Sequence, residues 1–133
     1  MPLPSPEFPT SGAQGLIGYE IRLIPEDGTA EVSLDVGPQH LNRNGTLHGG
    51  LIASLLDSAA GFAASLSFGG AVLMPVVTVS LTTHFLAPAR EGLVVSTGQV
   101  AGGGRKIIYA DAEVRDAEGV LVAKGSGVFK RAG

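Results

Sequence analysis

The sequence predicts one α+β domain in which a single long apolar helix lies against an antiparallel sheet of five to six strands. Three observations predict it. From Gly49 to Thr83 the only charged residue is Asp57, so the helical part of that stretch is apolar on every face and must be wrapped by something. The segments on either side alternate apolar and polar residues with period two, as half-buried strands do. A chain of 133 residues has room for one good core and not for two comfortable ones.

The elements follow in order. Residues 1–17 contain four prolines and no basic segment leading into an apolar run, so they read as a flexible arm rather than a signal peptide; the domain is expected over residues 18–133. Tyr19, Ile21 and Leu23 alternate with Glu20 and Arg22, and Val32, Leu34 and Val36 alternate with Glu31, Ser33 and Asp35. With Pro25-Glu26-Asp27-Gly28 between them, these two runs predict a β-hairpin. Gly37 to Leu47 has no periodicity and is rich in side-chain amides, which marks a loop with local hydrogen bonding. The helix runs from Gly49 to about Leu66 and stops near Gly69-Gly70. After Pro75, Val77, Val79, Leu81 and Phe85 alternate with Thr78, Ser80, Thr82 and His84 in a strand that Pro88 ends. Three further strands, Leu93 to Val100, Ile107 to Arg115 and Val120 to Lys130, are joined by turns at residues 101–104 and 116–119. The order is ββαββββ, a helix on one face of an antiparallel sheet. No internal repeat or linker marks a second domain.

Composition narrows the function. A net charge of −3 and a pI near 5.5 argue against nucleic acid or anionic membrane as partner, both of which need a basic face. Arg90, Arg105, Lys106, Arg115, Lys124, Lys130 and Arg131 all fall late in the chain, where they could still meet a small anionic ligand. A spanning helix needs about 20 uninterrupted apolar residues, and here Asp57, several serines, Gly69-Gly70 and Pro75 interrupt the run. The chain has no cysteine, hence no disulfide, thiol nucleophile or thiolate metal site, which fits a cytoplasmic protein. Hydrophobic residues reach 44% against 16% charged, a large apolar share for a small monomer to hide; self-association would hide it.

Two features can carry chemistry. Gly49 and Gly50 open the helix without side chains, so a substrate carbonyl could reach the Gly49 N–H, where the helix dipole favours developing negative charge. Two glycines also permit tight packing of a loop on a sheet. Asp57 sits among Leu55, Leu56, Ala59 and Ala60, an environment in which a carboxylate is costly unless used or paired; a structural acid bonded to a neighbouring strand is the other reading. His48, Asn42 and Asn44 are the polar side chains near the helix start. His40, His48 and His84 show no metal-ligand spacing, no nucleophile elbow occurs, and Gly102-Gly103-Gly104 precedes no helix, so it is no dinucleotide fingerprint.

Eight helical residues separate Gly49 from Asp57, about 12 Å of rise. One carbonyl cannot meet both in one chain. If both act together, Asp57 comes from a second copy, and a homodimer with its site at the interface is expected.

The run Asn42-Arg43-Asn44-Gly45-Thr46-Leu47-His48-Gly49-Gly50, with Asp57 following, resembles the signature of hotdog-fold thioesterases of the PaaI-like, phenylacetate-degradation group. The likeness extends from about residue 18 to the C-terminus, through the strand order, Phe85-Leu86-Ala87-Pro88 and Gly104-Arg105-Lys106. It implies a central helix wrapped by a curved sheet, homodimers joined edge to edge, and dimers pairing into tetramers. It further implies that Gly49 N–H and Asn42 polarise a thioester carbonyl and that His48 orients the site. Asp57 of the partner chain would act as base or nucleophile, and Thr78 would help to hold the water.

The chemistry is coherent in its own right, since the leaving thiol has a pKa of about 8.5 and needs no strong acid. The expected substrate is an acyl-CoA, with coenzyme A as part of the substrate and no other cofactor; Gly104, Arg105 and Lys106 are expected at its phosphates. Leu51, Phe62, Leu66, Phe68 and Met74 are candidates for an acyl pocket, though core packing explains each as well. An enoyl-CoA hydratase or dehydratase using His48 and Asp57, and a non-catalytic acyl-CoA-binding module, are the alternatives.

Overall fold

The computed structural model describes residues 10–70 and 73–132. Its elements are α1 (Gly12–Ile17), β1 (Glu20–Ile24), β2 (Thr29–Val36), a 3-10 turn at Pro38–His40, α2 (Gly49–Ser67), β3 (Val76–Phe85), β4 (Gly92–Gly103), β5 (Ile107–Asp116) and β6 (Leu121–Arg131). The strands form one antiparallel sheet in the order β1-β2-β4-β5-β6-β3. One long helix against a curved six-stranded antiparallel sheet is the hotdog fold.

Three details depart from expectation. Part of the N-terminal arm is helical: the Ser11 side chain accepts from Gln14 N–H, and α1 ends at Gly18 in the left-handed region (φ 93°). Capping of this kind leaves no hydrophobic period to read; the first nine residues of the arm lie outside the described ones. β4 runs on through a bulge between Val100 and Gly102, and the chain reverses later, where Gly104 N–H donates to Ile107 O at 2.8 Å. In β3 a bulge between Thr78 and Ser80 shifts the phase of the strand, so that Thr78 faces α2 instead of sharing the outward face with Thr82 and His84. Such bulges also bend the sheet around the helix.

By length and composition Gly49–Leu66 could cross a bilayer. Here one face of it lies buried on the sheet. Leu55, Leu56, Ala59, Ala60 and Ala64 are buried with Val32, Leu34, Val94, Val114, Val122 and Phe129, and Ala63 with Leu23 and Ala30, each large side chain contributing about 1.5–3 kcal/mol. The alanines let the helix backbone approach the sheet closely. At Gly98 a Cβ would lie 2.1 Å from Ala59 O and 2.8 Å from Ala60 N, positions that only backbone movement could relieve. Gly98→Ala is therefore expected to destabilise the fold by about 3 kcal/mol, the upper end of typical overpacking costs, measured as a lower urea midpoint; an unchanged midpoint would contradict this packing.

Candidate active site

The start of α2 is built by a hairpin-like loop. Leu41 and Leu47 bridge, Asn42 N–H donates to Thr46 O at 2.8 Å, and Leu47 N–H donates to Ala89 O at 2.8 Å. Within the loop Asn42 Oδ1 accepts from Asn44 N–H (2.9 Å), Thr46 N–H (3.2 Å) and Thr46 Oγ1 (3.3 Å). The Asn42 carbonyl oxygen is thereby committed to the turn. Its NH2 group has no partner among the described residues.

His48 caps the helix in an unusual way. Its Nδ1 accepts from Gly50 N–H at 2.9 Å, which places the ring proton of a neutral imidazole on Nε2. Its carbonyl accepts from Leu51 N–H (2.9 Å) and Ile52 N–H (3.0 Å). Of the four N–H groups that a helix start leaves without intrahelical partners, those of Gly50 and Leu51 are thus taken by His48, and that of His48 itself is donated to His40 O at 3.0 Å. The Gly49 N–H alone is free among the described residues, at the positive end of the helix dipole. A Cβ at Gly50 would come within 3.0 Å of the His48 ring, so the second glycine makes room for the capping ring.

Asp57 lies two turns further along the same unbroken helix, about 12 Å from Gly49 by helical rise. It is half-buried rather than enclosed, because the edge of the sheet leaves its side open. Thr78 Oγ1 donates to its Oδ1 at 2.7 Å, a contact made possible by the β3 bulge. A cleft of about 320 Å³ opens beside this pair, with Gly61, Phe62, Ser65, Val76 and Phe129 among its walls. Of the residues considered for an acyl pocket only Phe62 lines it. Leu51 and Phe68 pack on the main core and Leu66 on a smaller cluster, while Met74 is half-buried elsewhere. Gly61 and Phe129 escaped sequence reasoning, although a glycine inside a helix is itself a sign of close approach: a Cβ there would lie 3.3 Å from the Phe129 ring.

The structure therefore brings the expected residues together in two groups. Asn42, His48 and Gly49 gather at the start of α2, and the Phe85 ring lies 3.6 Å from where a Gly49 Cβ would be. Asp57 and Thr78 form the second group, near the other end of β3. Gly104, Arg105 and Lys106 occupy the exposed turn between β4 and β5. Ile107, Lys130 and Val77 are in register across three strands, about 10 Å in all, so this turn lies at the same end of the sheet as Thr78. Arg131 N–H donates to Lys106 O at 2.8 Å, which adds Lys130 and Arg131 to the basic cluster; the Arg131 guanidinium stacks 5.5 Å from the Phe68 ring centre. Among the described residues no three His, Asp or Glu side chains form a metal-binding group.

His48→Ala removes the cap to Gly50 and is expected to cost about 1 kcal/mol of stability, seen in urea unfolding. An unchanged midpoint would mean that the ring does not hold the helix start.

Residues 44–123 match the sequence model of the thioesterase superfamily. Over 107 residues the chain is 34% identical to mouse acyl-coenzyme A thioesterase 13, covering 79% of this chain and 73% of that protein. The PaaI protein of the phenylacetic acid degradation operon of E. coli superposes with a TM-score of 0.81 at 28% identity, over 92% of this chain and 86% of that one. The BH2602 protein of Bacillus halodurans, solved with CoA, superposes with a TM-score of 0.77 at 26% identity, over 90% and 75% of the two chains. Fold and sequence agree: the chain belongs to the thioesterase superfamily and is a thioester hydrolase with the PaaI-like hotdog fold.

Proposed function

We propose that this protein is an acyl-CoA thioesterase that works as a homodimer, each active site joining Gly49 of one copy to Asp57 of the other. The observation that carries the reading is where the two groups lie on the sheet. β3 is an edge strand with a neighbour only on its β6 side. Val77, Val79 and Phe85 on it are 51%, 58% and 55% exposed, an open apolar edge of the kind that pairs with another chain. Thr78, which holds Asp57, is near one end of this strand, and Phe85, which lies against Gly49, is at the other. With the two-fold axis placed midway between Thr78 and Phe85, antiparallel pairing of β3 with its copy sets Thr78 opposite the partner's Phe85. Each carboxylate then meets the other copy's free N–H, which the 12 Å of helix within one chain forbids. The large apolar share of the composition supports this, and pairing of dimers into tetramers would hide more of it.

In the reaction the thioester carbonyl oxygen accepts from Gly49 N–H and the Asn42 NH2. Thr78 occupies Oδ1 of Asp57 and leaves Oδ2 without a partner among the described residues. As base, Asp57 takes a proton from water while the water oxygen attacks the carbonyl carbon. The tetrahedral oxyanion collapses, the C–S bond breaks, and the thiolate leaves and receives the proton. As nucleophile, Asp57 would form a mixed anhydride that water then hydrolyses. Either way one acyl-CoA and one water give one acid and one CoA, with no cofactor. Arg105, Lys106 and Lys130 lie at the Asp57 end of the sheet and are not ion-paired among the described residues; they are suited to the CoA phosphates. The solved CoA complex of the Bacillus halodurans protein supports CoA as ligand. The cleft beside Phe62 and Phe129 suits an aryl or medium-length acyl group.

Asp57→Asn keeps an acceptor for Thr78 and removes the base, so CoA release across a panel of aryl- and alkyl-CoA substrates is expected to fall on the order of 10²–10⁴-fold with fold and dimer retained. Wild-type turnover in this variant would refute the assignment, and hydration of an enoyl-CoA without thiol release would favour the hydratase.

A further inference from the structure

His40 is a histidine that the proposed mechanism does not use, and it is only 4% exposed. Both ring nitrogens are engaged: Nδ1 accepts from Gly37 N–H at 2.9 Å, and Nε2 lies 2.7 Å from Ile17 O. A carbonyl only accepts, so the Nε2 proton is donated to it and the imidazole is neutral. The backbone of His40 is fixed as well. Its N–H donates to Gly37 O at 3.0 Å, and its carbonyl accepts from His48 N–H at 3.0 Å. One residue therefore ties the end of α1, the start of the 3-10 turn and the residue that precedes Gly49.

That last link matters because the Gly49 N–H has no hydrogen bond of its own among the described residues. Its direction depends on its neighbours: α2 on one side, and on the other the peptide of His48, held by His40 O. A buried, doubly bonded imidazole in a loop would need no further explanation if it only filled space. Here the bonds converge on the peptide next to the free donor, and the side chain reaches 23 residues back along the chain to Ile17. We propose that His40 is a positioning residue that aims the Gly49 N–H at the thioester carbonyl. The inference rests on the thioesterase reading above.

Three substitutions separate its bonds. His40→Phe keeps the volume and removes both ring contacts; His40→Asn keeps an acceptor near Nδ1; His40→Gln keeps a donor near Nε2. Two readouts are needed: kcat and KM by thiol release, and the infrared carbonyl stretch of a bound acyl-CoA analogue in which CH2 replaces the thioester sulfur. That stretch reports polarisation by the donor without turnover. For His40→Phe kcat is expected to fall on the order of 10²-fold, the cost of about 1 Å of misplacement. KM should stay within about threefold, because the loss is in the transition state, and the carbonyl stretch should move back toward its value in free solution. The Asn and Gln variants should fall in between. A folded His40→Phe protein with wild-type kcat and a wild-type carbonyl stretch would overturn the inference. Should that variant not fold, wild-type values in both Asn and Gln would do the same. A wild-type protein that releases no thiol and polarises no carbonyl would overturn the thioesterase reading, and this inference with it.

Discussion

A single unbroken helix carries both the free Gly49 N–H and the Asp57 carboxylate, and its rigidity keeps them about 12 Å apart. No loop movement can bring them together, because α2 is clamped by the sheet along most of its length and approaches β4 so closely that only glycine fits at position 98. The consequences spread outward from that spacing. In the proposed dimer each chain therefore supplies two half-sites. The start of α2 offers one donor, because His48 takes the N–H groups of Gly50 and Leu51 while its own goes to His40 O. The middle of α2 offers one carboxylate, steadied by Thr78 and bordered by a cleft.

The sheet turns these halves into a design. β3 lies at the edge, runs past both, and exposes apolar side chains where its outer neighbour would be. Its bulge does two things at once: it turns Thr78 inward to Asp57 while letting Leu81 and Phe85 continue along α2. Without the shift in phase Thr78 would face outward and the carboxylate would lose its only side-chain donor among the described residues. The second edge of the sheet, β1, is paired with β2 in a short hairpin.

Much of this was legible in the sequence, for identifiable reasons. A helix apolar on all faces and strands with strict alternation are strong periodic signals, so the order of the main elements could be read. Asp57 stood out because nothing else on that helix is charged. Its partner Thr78 could be named through the resemblance, whereas alternation alone points elsewhere: a strict period puts Thr78 with Thr82 and His84, and bulges leave no mark on a period of two. The helix α1 is capped by Ser11 and Gly18 and carries no stripe. His40 looked like one of three scattered histidines; its importance comes from bonds to Ile17 and Gly37 that only the fold creates. Gly61 and Phe129 belong to one cleft although they lie on a helix and a distant strand, a proximity that sequence spacing does not encode.

The central claim is that each site draws on two chains, and a mixed dimer tests it most directly. Gly49→Pro removes the donor at a helix position that tolerates proline, and His48 already has the extended backbone that a following proline requires (φ −59°, ψ 132°). Co-expression of Asp57→Asn and Gly49→Pro chains with different tags allows the heterodimer to be isolated. Each homodimer should be inactive. In the heterodimer one of the two sites keeps both Gly49 and Asp57, so about half the wild-type turnover per dimer is expected from the two-fold symmetry. A stable heterodimer with no more activity than its parents would contradict the account.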